Sequence, residues 1–188
     1  AKIETDFGGF SGSNTMLRIR QAYVNLDWGK SAVLVGITWH PLFGAVMPDV
    51  LNLSTGAPFQ PFNRSPQIRY QYKANSRVQL TASVLWQLQY LSSGPKGMSE
   101  DYIKNSCIPE MFVGADFTPA DGWLMGLGAH MISLKPRTST EWKEQTFKVN
   151  ERMTAFSYEA HLKYSGRNYT FAAKTLMASA LDHTALLG

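Results

Sequence analysis

The stretch RVQLTASVLWQLQY, residues Arg77–Tyr90, alternates between apolar and polar side chains along its whole length. Every second residue from Val78 onward is apolar, and the residues between them are Gln, Thr or Ser, except for Leu85. Neighbouring side chains of a β-strand point to opposite faces of the sheet, so this pattern predicts one strand with an apolar face and a polar face. The run is also longer than the usual strand of about 5–6 residues in soluble proteins.

The same period of two recurs along the chain and predicts about nine strands, with no convincing helix. The runs are 1–7, 15–28, 31–40, 66–73, 77–90, 109–117, 123–134, 149–164 and 168–179. In the second run the apolar set changes parity after Gln21, and the extra residue of a β-bulge produces such a change. The chain has 188 residues and is interpreted as a single domain, 1–188.

Short turns and long loops alternate between these runs. Short turns are predicted after Trp28, Lys73, Phe117 and Tyr164, and long loops after Phe7, His40, Leu91 and Leu134. An antiparallel meander with short turns at one rim and long loops at the other is the layout of outer-membrane barrels. Several aromatic residues lie near strand ends, as in the aromatic girdles at membrane interfaces.

The composition limits the class of protein. Charged residues make up only 17% of the chain and aromatic residues 12%, which suggests that part of the exterior does not face water. A net charge of +4 is too small to predict a nucleic-acid partner. The single cysteine, Cys107, excludes an internal disulfide. No stretch approaches the roughly 18 apolar residues of a membrane-spanning helix.

Alternation alone does not distinguish a membrane barrel from a soluble barrel or sandwich, because either has one apolar and one polar face. The polar face here is dominated by Gln, Thr, Ser, Gly and Arg rather than by the Lys and Glu of a solvated exterior. The apolar face contains Ala, which suits lipid contact better than a core. We therefore predict an all-β fold, an antiparallel up-and-down transmembrane β-barrel. The alternative is a soluble, lipocalin-like barrel that binds a small apolar ligand.

Several sequence words resemble one family. They are AKIETDF at the start, the Arg-x-Arg strand at Arg18 and Arg20, AYVNL at 22–26, GITWHPLF at 36–43 and SPQIRY at 65–70. In these words the chain resembles the DcaP-like trimeric porins of Gram-negative outer membranes and their Bacteroidetes relatives. The resemblance is densest in the first half of the chain, and beyond about Tyr90 it consists only of the rhythm of strands and loops.

The resemblance implies a trimeric, water-filled barrel in the outer membrane, in contact with lipid and lipopolysaccharide, that passes small anionic solutes by passive diffusion. In such porins the loop after the third strand folds inward and narrows the pore, and here that loop is Pro41 to Ser65. Members of the family have about sixteen strands, and bacterial barrels use even numbers. The expectation is therefore that the nine strands are a middle portion of a larger barrel, or a truncated relative.

Arginines on the polar parity of a strand are the best candidates for solute contact, because guanidinium keeps its charge and binds carboxylate in a bidentate way. The predicted pore-lining, anion-binding residues are Arg18, Arg20, Arg64, Arg69, His161 and Lys163. Arg64 is included because it lies in the predicted constriction loop. His161 and Lys163 are included because they share the polar parity of a later strand. The alternative is that the arginines pair with Glu4, Asp6 or Asp27, or decorate a soluble surface.

No catalytic signature is present, so no enzyme activity, catalytic residue or cofactor is predicted. The four histidines are far apart in sequence and show no metal-binding spacing, so no metal site is predicted. The only starting point for an enzyme in a barrel is His130 with a nearby Ser.

Overall fold

The computed structural model describes residues 1–11, 14–44, 46 and 60–185, and only the backbone of residues 8–11 and 14–16. In this part of the chain the strands are β1 Lys2–Ser11, β2 Asn14–Asp27, β3 Ser31–Trp39, β4 Arg64–Lys73, β5 Val78–Leu85, β6 Ser93–Gly94, β7 Gly97–Met98, β8 Glu110–Phe117, β9 Trp123–Leu134, β10 Ser139–Trp142, β11 Gln145–Lys148, β12 Met153–Ser165 and β13 Thr170–Met177. One α-helix, α1, spans Asp101–Ser106, and 3-10 turns span Pro41–Phe43 and Asp182–Thr184.

Nine of these strands form one antiparallel sheet in the order β1-β2-β3-β4-β5-β8-β9-β12-β13. Each strand pairs with its neighbours in sequence, apart from the hairpins β6–β7 and β10–β11, which lie in the long connections. The predicted all-β class, the strand number and the up-and-down order are confirmed. Over the described residues the sheet does not close, because β1 and β13 are its two edges.

The bulge predicted in the second run is present. Glu4 pairs with Gln21 and the next residue, Thr5, pairs with Ile19, which leaves Arg20 as the extra residue of β2. Ile19 is exposed on one side of the bulge and Val24 on the other, so the change of parity keeps the apolar side chains on one face of the sheet.

The apolar face of the sheet is exposed and its polar face is buried, the reverse of a sheet in water. Around β5 the apolar Leu88 is 52% exposed, whereas the polar Gln87 is only 1% exposed. The other strands follow the same rule, with exposed Val35, Ile68, Tyr70, Val113, Leu127, Phe156 and Phe171 on one face and buried Thr38, Gln67, Ser83, His130, Ser157 and His161 on the other. We call these the outer face and the inner face. The polar residues are therefore enclosed and the apolar residues are exposed.

Three expectations about the connections are wrong. The strands β1 and β2 run on to Ser11 and from Asn14, so the long loop predicted after Phe7 is absent between them. The ladder of β5 ends at Leu85, although the alternation of burial continues to Leu88. The helix α1 was not predicted, because six residues are too few to show a helical period. No helix in the described residues is long and apolar enough to cross a membrane.

Two small apolar clusters fill the inner side at the end of the sheet where the long loops lie. The first joins α1 to β9 and β12, and its buried members are Tyr102, Ile103, Ile132, Leu134 and Ala155. The second consists of Leu42, Leu85, Phe112 and Leu181. The helix ends at Cys107, which is exposed and adopts a left-handed conformation with φ of 55°. The remaining inner face is polar.

Candidate functional site

The candidate site is a cavity on the inner face, with a volume of about 440 Å³. The sheet curves so that strands as far apart as β2 and β12 line this one space. Its polar wall includes Gln21, Thr38, Arg69, Gln71, Asp116 and His161. The segment Trp39–Gly44 also borders it. The cavity also has apolar lining residues, such as Leu34 and Phe112. It is therefore a space of mixed polar and apolar lining, bounded by the sheet and in part by the beginning of the long loop after β3.

The beginning of that loop lies against the inner face. Leu42 is fully buried, and the Lys174 ammonium on the edge strand β13 donates to the carbonyl oxygens of Leu42 and Phe43. The Trp39 and Phe43 rings stack with their centroids 4.2 Å apart. These contacts hold the first residues of the predicted constriction loop inside the curve of the sheet. Residues 45 and 47–59 of that loop lie outside the described residues.

Arg69 lies on the inner face of β4 and lines the cavity. Its Nη2 donates to the Trp39 carbonyl oxygen at 2.7 Å and to Gln67 Oε1 at 2.7 Å, and its Nε donates to the same Gln67 oxygen at 3.0 Å. The guanidinium is thus oriented by neutral acceptors on the inner face. The predicted pore-lining role of Arg69 stays a prediction.

His161 also lines the cavity, next to acidic groups. Its Nε2 lies 3.1 Å from Asp116 Oδ1, and its ring occupies space left by Gly126, because a β-carbon there would collide with the imidazole. On the same strand, Glu159 is paired with Lys174 at 3.3 Å. The cavity therefore contains both signs of charge. The predicted Lys163 is half-buried, shares the strand face of His161, and is outside the cavity lining over the described residues.

Arg18 and Arg20 form ion pairs with carboxylates on the neighbouring strand. Arg18 makes a bidentate contact with Asp6, with distances of 3.0 and 2.8 Å. Arg20 Nε lies 3.1 Å from Glu4 Oε1, and its Nη1 lies 3.5 Å from Asp6 Oδ2. This is the paired alternative considered from the sequence, since cross-strand neighbours of opposite charge interact readily.

Arg64 is buried at the start of β4, with its guanidinium carbon 4.1 Å from the centroid of the Trp39 ring. Such a cation–π contact is favourable when it is shielded from water. The charges of Arg18 and Arg20 act on Arg64 as like-charge neighbours, and Glu4 acts as an opposite one. The structure thus brings Arg18, Arg20 and Arg64 into one group and leaves Arg69 in the cavity.

A second polar centre was not predicted, and it surrounds the Glu110 carboxylate. Three histidine Nε2 atoms lie near Glu110 Oε2: those of His40 at 3.4 Å, His130 at 3.4 Å and His183 at 3.2 Å. Gln87 Nε2 donates to the other oxygen, Oε1, at 2.9 Å. All five side chains are at most 1% exposed. We call this set the Glu110 cluster.

Two of these histidines differ in protonation. Burial lowers the pKa of His40 to about 4, even though the neighbouring Glu110 acts to raise it. Burial also acts to lower the pKa of His183, but the charge and hydrogen bond of Glu110 outweigh it and raise this pKa above its ordinary value. At neutral pH His40 is therefore neutral, and His183 is the better proton carrier beside the carboxylate.

The cluster is hidden in the sequence because its members come from five separate parts of the chain, of which Gln87, just after β5, is one. His40 follows β3, Glu110 opens β8, His130 lies in β9 and His183 lies in the 3-10 turn after β13. Only the pairing of β8 with β9 brings two of the elements together locally. The sequence did contain one indication, because Glu110 and His130 both lie on the polar, inner parity of strands that are adjacent in the sheet. The candidate catalytic seed, His130 with a Ser, is instead a member of this buried cluster.

No protein-family model matches the chain, and neither a curated protein nor a solved structure is significantly similar to it. The resemblance to the DcaP-like porins therefore stays a prediction from the sequence words given above. The structure supports a coarser statement: an all-β chain whose nine-stranded antiparallel sheet has a polar, enclosed inner face.

Proposed function

We propose that the chain forms the wall of a porin-like β-barrel in the outer membrane of a Gram-negative bacterium and lets small hydrophilic solutes diffuse through. The observation that carries this proposal is the sense of burial in the sheet. Leu88, Leu127 and Phe156 are exposed while Gln87, Ser157 and His161 are buried. A sheet in water buries its apolar face, whereas a sheet in lipid turns that face outward and its polar face toward a water-filled interior.

The aromatic residues at the short-turn rim support a membrane position. Trp28 and Tyr169 are both exposed at this rim. Trp123 packs on Tyr164 with ring centroids 4.8 Å apart, and Tyr164 packs on Tyr169 at 5.6 Å. Trp and Tyr favour the interface between lipid and water, because their rings are amphipathic. Aromatic residues in this position are what we expect at the rim of the proposed membrane barrel.

The open edges of the sheet bear on how such a barrel is completed. Over the described residues β1 and β13 each have one unpaired side, and unpaired backbone groups are costly in lipid. Our proposal therefore includes further strands that close the barrel between β13 and β1. A native protein of 21.0 kDa, measured by mass spectrometry, would contradict this part of the proposal.

A preference for anions is proposed on two features. Lys2, Arg18 and Arg20 pair with the two carboxylates Glu4 and Asp6, and the charges of Arg18, Arg20 and Glu4 act on Arg64. These four cations and two carboxylates leave two positive charges in excess in this group. Arg69 adds a cation to the cavity itself. The acidic groups near His161 oppose it, so we expect the preference to be modest. Assembly as a homotrimer and contact with lipopolysaccharide rest on the resemblance alone.

The lipocalin-like alternative requires the reverse arrangement. A soluble barrel that holds an apolar ligand lines its cup with apolar side chains and turns polar ones to water. Here the cavity is lined by Gln21, Arg69 and Asp116 as well as by apolar residues such as Leu34 and Phe112. The exposed residues of the strands include many Leu, Val, Ile and Phe. The membrane barrel is therefore the better proposal.

The test is partition followed by reconstitution. We expect the native protein to stay in the membrane pellet until detergent is added, and to make lipid vesicles permeable to small dicarboxylates and sugars but not to dextran. Vesicles that carry heat-denatured protein are the control. A monodisperse monomer in detergent-free supernatant would refute the proposal and favour the soluble alternative.

A further inference from the structure

We propose that the Glu110 cluster is a binding site for one divalent transition-metal ion such as Zn²⁺, with His40, His130 and Glu110 as ligands. His183, whose Nε2 lies 3.2 Å from Glu110 Oε2 but outside this group of three, moves closer to the other two histidines to become the fourth ligand. This inference does not depend on the proposed channel function, because the cluster lies outside the cavity lining except for His40. His40, Glu110 and His130 each offer a ligand atom, and these atoms lie within 4.8 Å of one another.

The distances in the cluster suit metal ligation better than hydrogen bonding. The histidine Nε2 atoms lie 3.4, 3.4 and 3.2 Å from one oxygen, Glu110 Oε2. Direct N–H···O bonds are usually about 2.9–3.0 Å long. Two ligands of a tetrahedral zinc ion, each about 2.0–2.1 Å from the metal, lie about 3.3–3.4 Å apart. The three nitrogens thus already stand at ligand spacing from the carboxylate oxygen.

The types of ligand and their surroundings fit the same ion. Imidazole nitrogen and carboxylate oxygen are common zinc ligands, and structural zinc sites are four-coordinate and closed to water. Complete burial of the cluster meets the last condition. Gln87 holds Glu110 Oε1 from behind and is itself fixed by Ser92, which is the kind of outer hydrogen bond that orients a ligating carboxylate.

A third observation concerns the far side of the imidazole rings. The Nδ1 atom of His130 is buried and has no hydrogen-bond partner in the described structure. A metal-bound imidazole usually donates its far N–H to an acceptor, so metal binding leaves this group of His130 without one. His183 differs, because its ring has a hydrogen bond with the Ala180 backbone. Both rings present Nε2 to Glu110 Oε2.

Metal binding has one cost at His40. The Leu42 backbone N–H donates to His40 Nδ1 at 3.2 Å, so in the free protein the His40 proton lies on Nε2. A metal ion on Nε2 moves this proton to Nδ1 and breaks the bond to Leu42. We therefore expect metal loading to shift the 3-10 turn Pro41–Phe43, which borders the cavity.

The experiment measures metal binding by the detergent-solubilised protein after chelator treatment. We expect equilibrium dialysis to show one Zn²⁺ per chain, and Co²⁺ to give the intense visible bands of a tetrahedral site. Glu110→Gln and His130→Gln should each weaken binding at least 100-fold. His161→Gln is the matched control, since it removes the one histidine that is not in the cluster, and it should bind as the unchanged protein does.

Two further measurements keep the result clear if a buried variant fails to fold. Circular dichroism identifies such a variant, and Gln87→Ala then replaces it, with an expected loss of about 10- to 100-fold in metal affinity, as for other residues that orient a ligand. Zn²⁺ should also raise the melting temperature of the unchanged protein, and a chelator should reverse this. Folded protein that binds no Zn²⁺ stoichiometrically would overturn the proposal. So would binding that is lost in His161→Gln and kept in Glu110→Gln.

Discussion

Replacing Leu127 by Arg tests which medium the outer face of the sheet contacts. Leu127 lies in β9, 67% exposed, opposite Ala115 on one side and Ala160 on the other. It is four residues beyond Trp123, about 13 Å along the strand at about 3.3 Å per residue. With a strand tilt of about 40°, this places it about 10 Å inside the aromatic rim, near the middle of an apolar band about 25 Å tall.

At that depth in lipid an added arginine costs about 2–4 kcal/mol, whereas an exposed site in water tolerates it within about 0.5 kcal/mol. The assay is urea unfolding of protein reconstituted in lipid vesicles. Met98→Arg is the matched control, because Met98 is 62% exposed but lies in the hairpin β6–β7, outside the main sheet. If Leu127→Arg is no more destabilising than Met98→Arg, the outer face does not contact lipid.

Three further changes test the inner face. Lys174→Met should destabilise the protein by about 3–5 kcal/mol in the same unfolding assay, because it removes the ammonium that pairs with the buried Glu159 carboxylate. The double variant Lys174→Met with Glu159→Gln should recover part of this loss. No recovery would contradict the pairing. Gly126→Ala should lower the free energy of unfolding by about 1–3 kcal/mol, because the added methyl group overpacks against the His161 imidazole. An unchanged unfolding midpoint would count against that contact. Arg18→Gln with Arg20→Gln should shift the reversal potential in bilayer recordings toward cations, since two carboxylates lose their partners; an unchanged potential would remove these arginines from the selectivity of the channel.

The strands and their faces were predictable because they depend on local alternation. The sides of the residues around Gln87 and Leu88 follow from the period of two, because Leu88 is exposed and Gln87 is buried as the alternation requires. The bulge at Arg20 was predictable for the same reason, since a change of parity is visible in the sequence. Each of these predictions needed only neighbours along one strand.

The missed features depend on contacts between distant parts of the chain. The four ligand candidates of the Glu110 cluster extend from His40 to His183, and the curvature of the sheet brings them together. The pairing of Arg18 with Asp6 needs the register of β1 on β2, which the bulge shifts by one residue. The GFSGS segment near Phe10 was interpreted as loop because its Gly and Ser residues favour turns, yet β1 continues through its first residues to Ser11.

The exposed thiol of Cys107 at the end of α1 is a natural labelling site at one end of the strands. Cys107 is the one cysteine of the chain and lies among the long connections, at the opposite end of the strands from the tight turns. A membrane-impermeant maleimide applied to intact cells would therefore report which compartment these connections enter, without any engineered residue.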